Sequence, residues 1–396
     1  MPYRILALLL ACAAVPALAA PALTTLYSFK GDHDGGDPSA LVPGKGGIFY
    51  GSTGVGDGHG CPHGIEPGGC GNLFQFSLAT GRETVLRRLP PTGAALALTV
   101  DGNKFYGLTR TTAFRFNRNT QHLATLQTFT AGAGGGDVNA SLLLQNGALF
   151  GTAYDGGSGA CFDEQACGVV FRLDAKTGAE TVLHNFAGGP DGASPRAGLV
   201  SVDGMLYGTT QLGGGAAACT NGCGTIFKID PQSGAETVLY SFQGGSDGIE
   251  PGGLTAHDGI LYGTTGLVGH GGAVFQFIIA TGAESLLYRF PEAGYAEPQN
   301  GLVYHDGALY GIDTGGLPNC YENDTCGYIF KVDTVTGKEK TLYQFTDGGD
   351  GGGPESLMFY QGALYGVTGS GGTYDGKCLF FGEYDIGCGT IFKLVP

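Results

Sequence analysis

The sequence predicts an all-β fold, a seven-bladed β-propeller of four-stranded antiparallel blades, on three observations. Glycine supplies 76 of 396 residues, yet 42% of the chain is hydrophobic and 11% aromatic. An interior glycine costs a helix about 1 kcal/mol relative to alanine, so the chain is not helix-rich, and it is too apolar to be disordered. A tripeptide of apolar residue, aromatic and glycine recurs with its aromatic at Tyr50, Tyr106, Phe150, Tyr207, Tyr262, Tyr310 and Tyr365, at intervals of 56, 44, 57, 55, 48 and 55 residues. Finally, the last unit stops one strand short, and an unpartnered strand of the missing type stands near the start of the chain.

Residues 1–20 read as an export signal. Arg4 supplies the positive end, Ile5 to Leu18 is apolar, and Ala17-Leu18-Ala19 is a small-x-small cleavage site. Leu9-Leu10-Ala11-Cys12 offers a competing lipobox with Cys12 lipidated, but the Ala-x-Ala site is favoured. Residues 21–396 are expected to form one propeller domain. No other stretch is long and apolar enough to span a bilayer.

Each unit holds four strands, here a to d. Strand a is typified by Ala197–Ser201, b by Met205–Thr210, c by Thr225–Ile229 and d by Thr237–Phe242. Asp203-Gly204, Asp258-Gly259, Asp306-Gly307 and their counterparts join a to b, as two-residue hairpins needing positive φ require. Thr177-Gly178, Ser233-Gly234 and Thr336-Gly337 lie between c and d. Four antiparallel strands in units of about 50 residues are a propeller signature. The seventh unit ends at Leu394-Val395-Pro396 without a strand d, and Leu23 to Phe29 has the d pattern. Docking it on the last blade closes the ring and covers an open edge.

The units Leu239-Tyr240-Ser241-Phe242, Gly245-Ser246-Asp247-Gly248, Leu261-Tyr262-Gly263-Thr264-Thr265 and Gly224-Thr225-Ile226-Phe227-Lys228 resemble the GloVer tandem repeat of exported bacterial proteins. The resemblance covers nearly all of the chain after the signal and is weakest in the second unit. It implies export and a propeller, and it carries no assigned chemistry.

Strand direction sorts the connections. The short a–b and c–d turns share one face of the disc, and the longer b–c and d–a connections share the other, where binding is expected. Leaving out Cys12, ten cysteines fall into five pairs, each inside one b–c connection: Cys61 and Cys70, Cys161 and Cys167, Cys219 and Cys223, Cys320 and Cys326, Cys378 and Cys388. In an exported chain they read as five local disulfides. The rival is a metal site on His59, Cys61, His63 and Cys70, whose spacing matches no standard zinc motif.

The d–a connections carry acidic turns. Only Asp32, Asp34 and Asp37 are close enough in sequence to share a calcium ion, and the plainer reading is an Asp-Gly turn leading into strand a. The stapled connections also set aromatics beside acids: Phe162 and Asp163; Tyr321, Glu322 and Asp324; Tyr374, Asp375 and Tyr384. Such groups suit sugar stacking and hydroxyl recognition, or else pack their own loop.

With 20 basic against 35 acidic residues the net charge is −15, which disfavours nucleic acid. There is no Gly-x-Ser-x-Gly elbow, no His-Glu-x-x-His and no phosphate-binding glycine loop. The first expectation is therefore a secreted or periplasmic, non-enzymatic binding module, monomeric by default, for an extracellular glycan or a surface protein. A polysaccharide hydrolase or lyase using two carboxylates near the central channel is the second, and a structural part of the cell envelope the third.

Overall fold

A computed structural model describes residues 21–31, 33–55, 71–89, 97–109, 111–130, 132–138, 140–158, 161, 167–267, 270–291, 301–313, 326–373, 378–380, 384–385 and 387–396. It is a ring of seven four-stranded antiparallel sheets, a seven-bladed β-propeller. Six blades are contiguous in sequence, covering 36–88, 97–128, 143–185, 200–241, 255–289 and 303–344. The seventh is assembled from both ends of the chain: Gly352–Tyr360, Ala363–Ser370 and Thr390–Val395 supply strands a to c, and Ala22–Ser28 supplies d. Leu23 faces Leu394 and Thr25 faces Phe392 across this last ladder.

The recurring tripeptide has a packing cause. The aromatic ring at the centre of strand c lies flat across strand b where the tripeptide glycine stands: a Cβ on Gly208 would come 2.5 Å from Cζ of Phe227. The same glycine–phenylalanine pairing occurs in every blade, from Gly51 with Phe74 round to Gly366 with Phe392. Any larger residue would push the ring out of the inter-blade core, so the sequence keeps glycine there.

A second aromatic ties each blade to the next. The phenylalanine that follows strand d meets the strand c ring of the following blade, as in Phe186 with Phe227 at 5.2 Å and Phe345 with Phe392 at 5.3 Å. Phe29, fully buried, makes the same edge-on contact with Phe74 at 5.3 Å, so the N-terminal strand joins the last blade to the first. The first blade ends instead on buried Leu89, which joins the core containing Phe114.

The a–b turns are as predicted: Asp203 and Gly204 both adopt left-handed backbone, at φ 50° and 82°. Neighbouring strands a touch one another round the ring, which places them innermost and strands d at the rim. His257 and His305, beside these turns, stack on Tyr304 and Phe359 of the next blade at 3.7 and 3.6 Å while staying 41% and 40% exposed. Among the described residues, no helix is long and apolar enough to cross a membrane.

Candidate site at the inner rim of the stapled face

Where strand a begins, on the long-connection face, four blades carry one local device. The residue before a proline takes left-handed backbone: Asp37 at φ 52°, Ser194 at 58°, Glu250 at 49° and Gly353 at 55°. A residue before proline normally stays extended, so this geometry is strained and must be held by its surroundings. It is held by the preceding blade. The amides of Asp37, Ser194, Glu250 and Gly353 donate to the carbonyls of Cys388, Cys167, Cys223 and Cys326 over 2.8–3.1 Å. Each of these cysteines is the second of its pair, and the glycine after it lets the following proline approach. A Cβ on Gly389 would lie 2.6 Å from Pro38 Cδ, and Gly168, Gly224 and Gly327 meet Pro195, Pro251 and Pro354 likewise.

The disulfides therefore end on the inner rim. Cys161–Cys167, Cys219–Cys223 and Cys378–Cys388 are bonded with Cα separations of 5.1, 5.4 and 5.2 Å. Cys326 is also disulfide-bonded. Cys61, Cys70 and Cys320 lie outside the described residues, as do His59 and His63 of the rival metal reading.

Two carboxylates converge at the seam between the last blade and the first. Asp37 stands at the start of strand a of the first blade, and Glu355 at the same end of strand a of the seventh. Asp37 Oδ1 lies 3.0 Å, and Glu355 Oε1 3.4 Å, from the point a Cβ on Gly369 would occupy. The two oxygens are therefore no farther apart than those distances combined. Water reaches both side chains, yet protein surrounds them closely enough to penalise charge. Desolvation pushes Asp37 up to about 6, and desolvation followed by repulsion from Asp37 pushes Glu355 up to about 7. Glycine on the facing strands makes the room: a Cβ on Gly54 would sit 2.5 Å from Asp37 Oδ2.

Other charged groups share this level of the ring. Glu250 occupies the Asp37 position of the fifth blade, and Arg196 the Glu355 position of the fourth, its guanidinium 5.9 Å from the Tyr154 ring centre. In the third blade Asp137 also has left-handed backbone, and burial together with the Asp137 charge raises Asp155. Sequence reading missed Glu355, Glu250, Asp137 and Arg196. The signal was present in Asp34-Gly35-Gly36-Asp37-Pro38, Asp191-Gly192-Ala193-Ser194-Pro195 and Asp247-Gly248-Ile249-Glu250-Pro251, where proline fixes the phase of the ring.

Of the residues proposed for calcium, Asp32 lies outside the described residues. Asp34 and Asp37 face different neighbours. Asp34 Oδ2 accepts from the Tyr27 hydroxyl at 2.7 Å and the Lys30 amide at 3.1 Å, on strand d at the rim, whereas Asp37 adjoins Gly54, Gly369 and Glu355. The aromatic–acid groups Phe162, Asp163, Tyr321, Glu322, Asp324, Tyr374 and Asp375 fall outside the described residues. Of Tyr384 only the backbone is described, paired with Phe380 in a short hairpin.

The Asp34 contact is one member of a rim series. Tyr240 donates to Asp247 at 2.9 Å and Tyr343 to Asp350 at 3.0 Å, and each Asp also accepts the amide three residues after its tyrosine. A strand d glutamate from the next blade adjoins two of these pairs. Burial, then the Asp34 charge, pushes Glu83 up to about 8, and burial, then the Asp247 charge, pushes Glu284 up to about 7. Between the third and fourth blades, His184 replaces the tyrosine, with Asp191 and Glu236 in the other two places.

The signature of a family described as the Gloeobacter/Verrucomicrobia repeat matches residues 67–271. No curated protein matches the chain in sequence. Among solved structures, the extracellular domain of the putative one component system BT4673 from B. thetaiotaomicron superposes with a TM-score of 0.55 at 11% identity, covering 94% of this chain and 40% of that one. TolB from Acinetobacter baumannii gives 0.43 at 14% identity, covering 69% and 60% of the two chains. A nidogen/laminin complex gives 0.44 at 14% identity, covering 69% and 91%. The chain thus spans less than two thirds of TolB and of the BT4673 domain. At these identities the BT4673 likeness speaks for the fold alone.

Proposed function

The chain belongs to the Gloeobacter/Verrucomicrobia repeat family, and from that premise we propose that it is an exported, non-enzymatic binding module for an extracellular glycan. The observation that carries this reading is the latch between each described stapled connection and the next blade, typified by Cys223 O with the Glu250 amide at 2.9 Å. Loops fixed at both ends lose little freedom on binding, which favours affinity. Their latched ends stand at the inner rim beside the starts of strands a, where Asp37, Glu250 and Glu355 are placed. Ionised carboxylates accept hydrogen bonds and donate none, so they suit sugar hydroxyls or amino groups. They repel sulfated or uronic polymers, as does the net charge of −15. The fitting ligand is a neutral or amino-sugar polymer.

The test is a glycan array probed with the protein before and after disulfide reduction, with circular dichroism to verify that the sheets persist. Binding to neutral or amino glycans that is lost on reduction supports the reading. Binding only to acidic glycans, or to none, defeats it and leaves a surface protein as the partner to seek.

One observation favours a second reading, glycan cleavage. Asp37 and Glu355 are close neighbours both held above the usual carboxyl range, Asp37 by burial and Glu355 by burial and then the Asp37 charge, and adjoining carboxyl groups that hold a proton near neutral pH are what acid–base catalysis uses. Their closeness suits the shorter carboxylate separation, about 5–5.5 Å, of retaining enzymes. New reducing ends from a bound glycan, abolished in Glu355→Gln, would select cleavage over binding alone.

A further inference from the structure

We propose that His184, Asp191 and Glu236 form a binding site for a zinc-type divalent metal ion, clamping the third blade to the fourth at the rim of the disc. The three residues come from different segments: His184 from strand d of the third blade, Asp191 from the connection after it, and Glu236 from strand d of the fourth. One ligand atom from each lies within 4.8 Å of the others. His184 Nε2 is 3.2 Å from Asp191 Oδ1. Two ligands on one tetrahedral zinc, each bonded at about 2.0–2.1 Å, stand about 3.3 Å apart, so this pair already has the required spacing. Only Glu236 has to draw in.

The surroundings are arranged for such an ion. Asp191 Oδ2 accepts the Ala187 amide at 2.7 Å, which orients the carboxylate so that both its oxygens face His184 Nε2, at 3.2 and 3.3 Å. The His184 ring is fixed edge-on to Phe186 at 4.8 Å. Glu236 Oε1 is shut off from water and has no hydrogen-bond partner. His184 and Asp191 remain 19% and 24% exposed, which leaves a path for entry and a place for water as fourth ligand.

The molecule contains its own comparison. Asp34 with Glu83 and Asp247 with Glu284 repeat the carboxylate pair, and Glu83 and Glu284 each also have a buried, unpartnered Oε1. There the third member is a tyrosine whose hydroxyl donates to the aspartate. A neutral phenol is a poor ligand for zinc, whereas imidazole is a good one. Exchanging phenol for imidazole turns a structural hydrogen-bond cluster into a one-nitrogen, two-carboxylate donor set.

The resident tyrosines also supply the control. His184→Tyr installs the side chain that the fold already accepts at Tyr27, Tyr240 and Tyr343, so it is expected to fold. The full chain, stripped with EDTA, is dialysed at neutral pH against Zn2+ and analysed for bound metal, with and without excess Ca2+. The expected result is one equivalent of zinc that is absent from His184→Tyr. Glu236→Gln weakens it by about tenfold or more, since loss even of a partner outside the ligand set costs 10–100-fold. Calcium does not displace it. Equal zinc content in wild type and His184→Tyr, or displacement by calcium, would overturn the proposal.

Discussion

Asp37 and Cys388 meet where the ring closes: the Asp37 amide donates to the Cys388 carbonyl over 3.0 Å. The first blade is thereby held to the last at its inner edge, while the N-terminal strand holds the same two blades at the rim through Phe29 and Phe74. The seam repeats the junctions at Cys167–Ser194, Cys223–Glu250 and Cys326–Gly353. It is built as well as any internal junction although its parts come from opposite ends of the chain.

Phe29→Ala tests the outer half of the seam. The side chain is fully buried, so its loss removes apolar burial and leaves a cavity, at a cost of about 3–5 kcal/mol. Denaturant unfolding should show a single, earlier transition for the whole propeller. An unchanged midpoint would mean that the strand is not part of the cooperative unit.

A matched pair of glycine substitutions tests the inner half. Gly389 is left-handed at φ 84°, and a Cβ there would strike Pro38. Gly102 is also left-handed, at φ 60°, but nothing stands within 4 Å of its Cβ position. Gly102→Ala should cost about 1 kcal/mol, the backbone penalty alone. Gly389→Ala should cost clearly more, because one blade must move away from the other. Equal costs by chemical denaturation would argue against close docking at the latch.

The fold was legible because each blade repeats the same constraints. Glycine appears beside the strand c phenylalanine seven times, and the missing strand d of the last unit matched Leu23 to Phe29. The site was legible only in outline. Cysteine spacing located the stapled connections, but nothing along the chain connects Asp37 with Glu355, 318 positions away; ring closure alone makes them neighbours. The acidic turns invited a calcium reading because sequence proximity hides direction: three residues apart, Asp34 serves the rim and Asp37 the inner edge. His184 carried no recognisable motif, since its meaning comes from the tyrosines that replace it in other blades.

Stability should fall as pH rises from 5 to 8. Asp37 at about 6, Glu355, Glu236 and Glu284 at about 7, and Glu83 at about 8 all titrate above the usual carboxyl range near 4. The native state therefore holds more protons than the unfolded chain between about pH 4 and 8. The associated stabilisation is full below the unfolded values and is lost as pH rises through the native ones. Asp174, Asp230 and Asp333, lowered by hydrogen bonds within their turns, act in the opposite sense and only toward more acidic pH. Melting temperatures across this range should decline, and Glu284→Gln should flatten the decline. A flat wild-type profile would contradict the assignment.

Removing one staple should act locally. The Cys219–Cys223 bridge closes a loop only 4 residues apart in sequence, worth about 2 kcal/mol in the chain-entropy view. The double variant Cys219→Ser, Cys223→Ser should remain folded, and hydrogen exchange should quicken at the Glu250 amide that bonds Cys223. Exchange quickening uniformly round the ring would show that the staple supports the fold rather than the loop.

The most direct test of the central claim, that the stapled face with the carboxylates at its inner rim is the recognition surface, compares two variants on the same neutral and amino glycans. Asp37→Asn with Glu355→Gln alters the carboxylate pair at the inner rim, and Lys104→Ala alters the first residue of a strand b, beside a short turn on the opposite face. The account predicts a loss of affinity of about tenfold or more in the first, as expected when charged hydrogen-bond acceptors are removed, and wild-type binding in the second. Unchanged binding in the first, or a loss confined to Lys104→Ala, would contradict it.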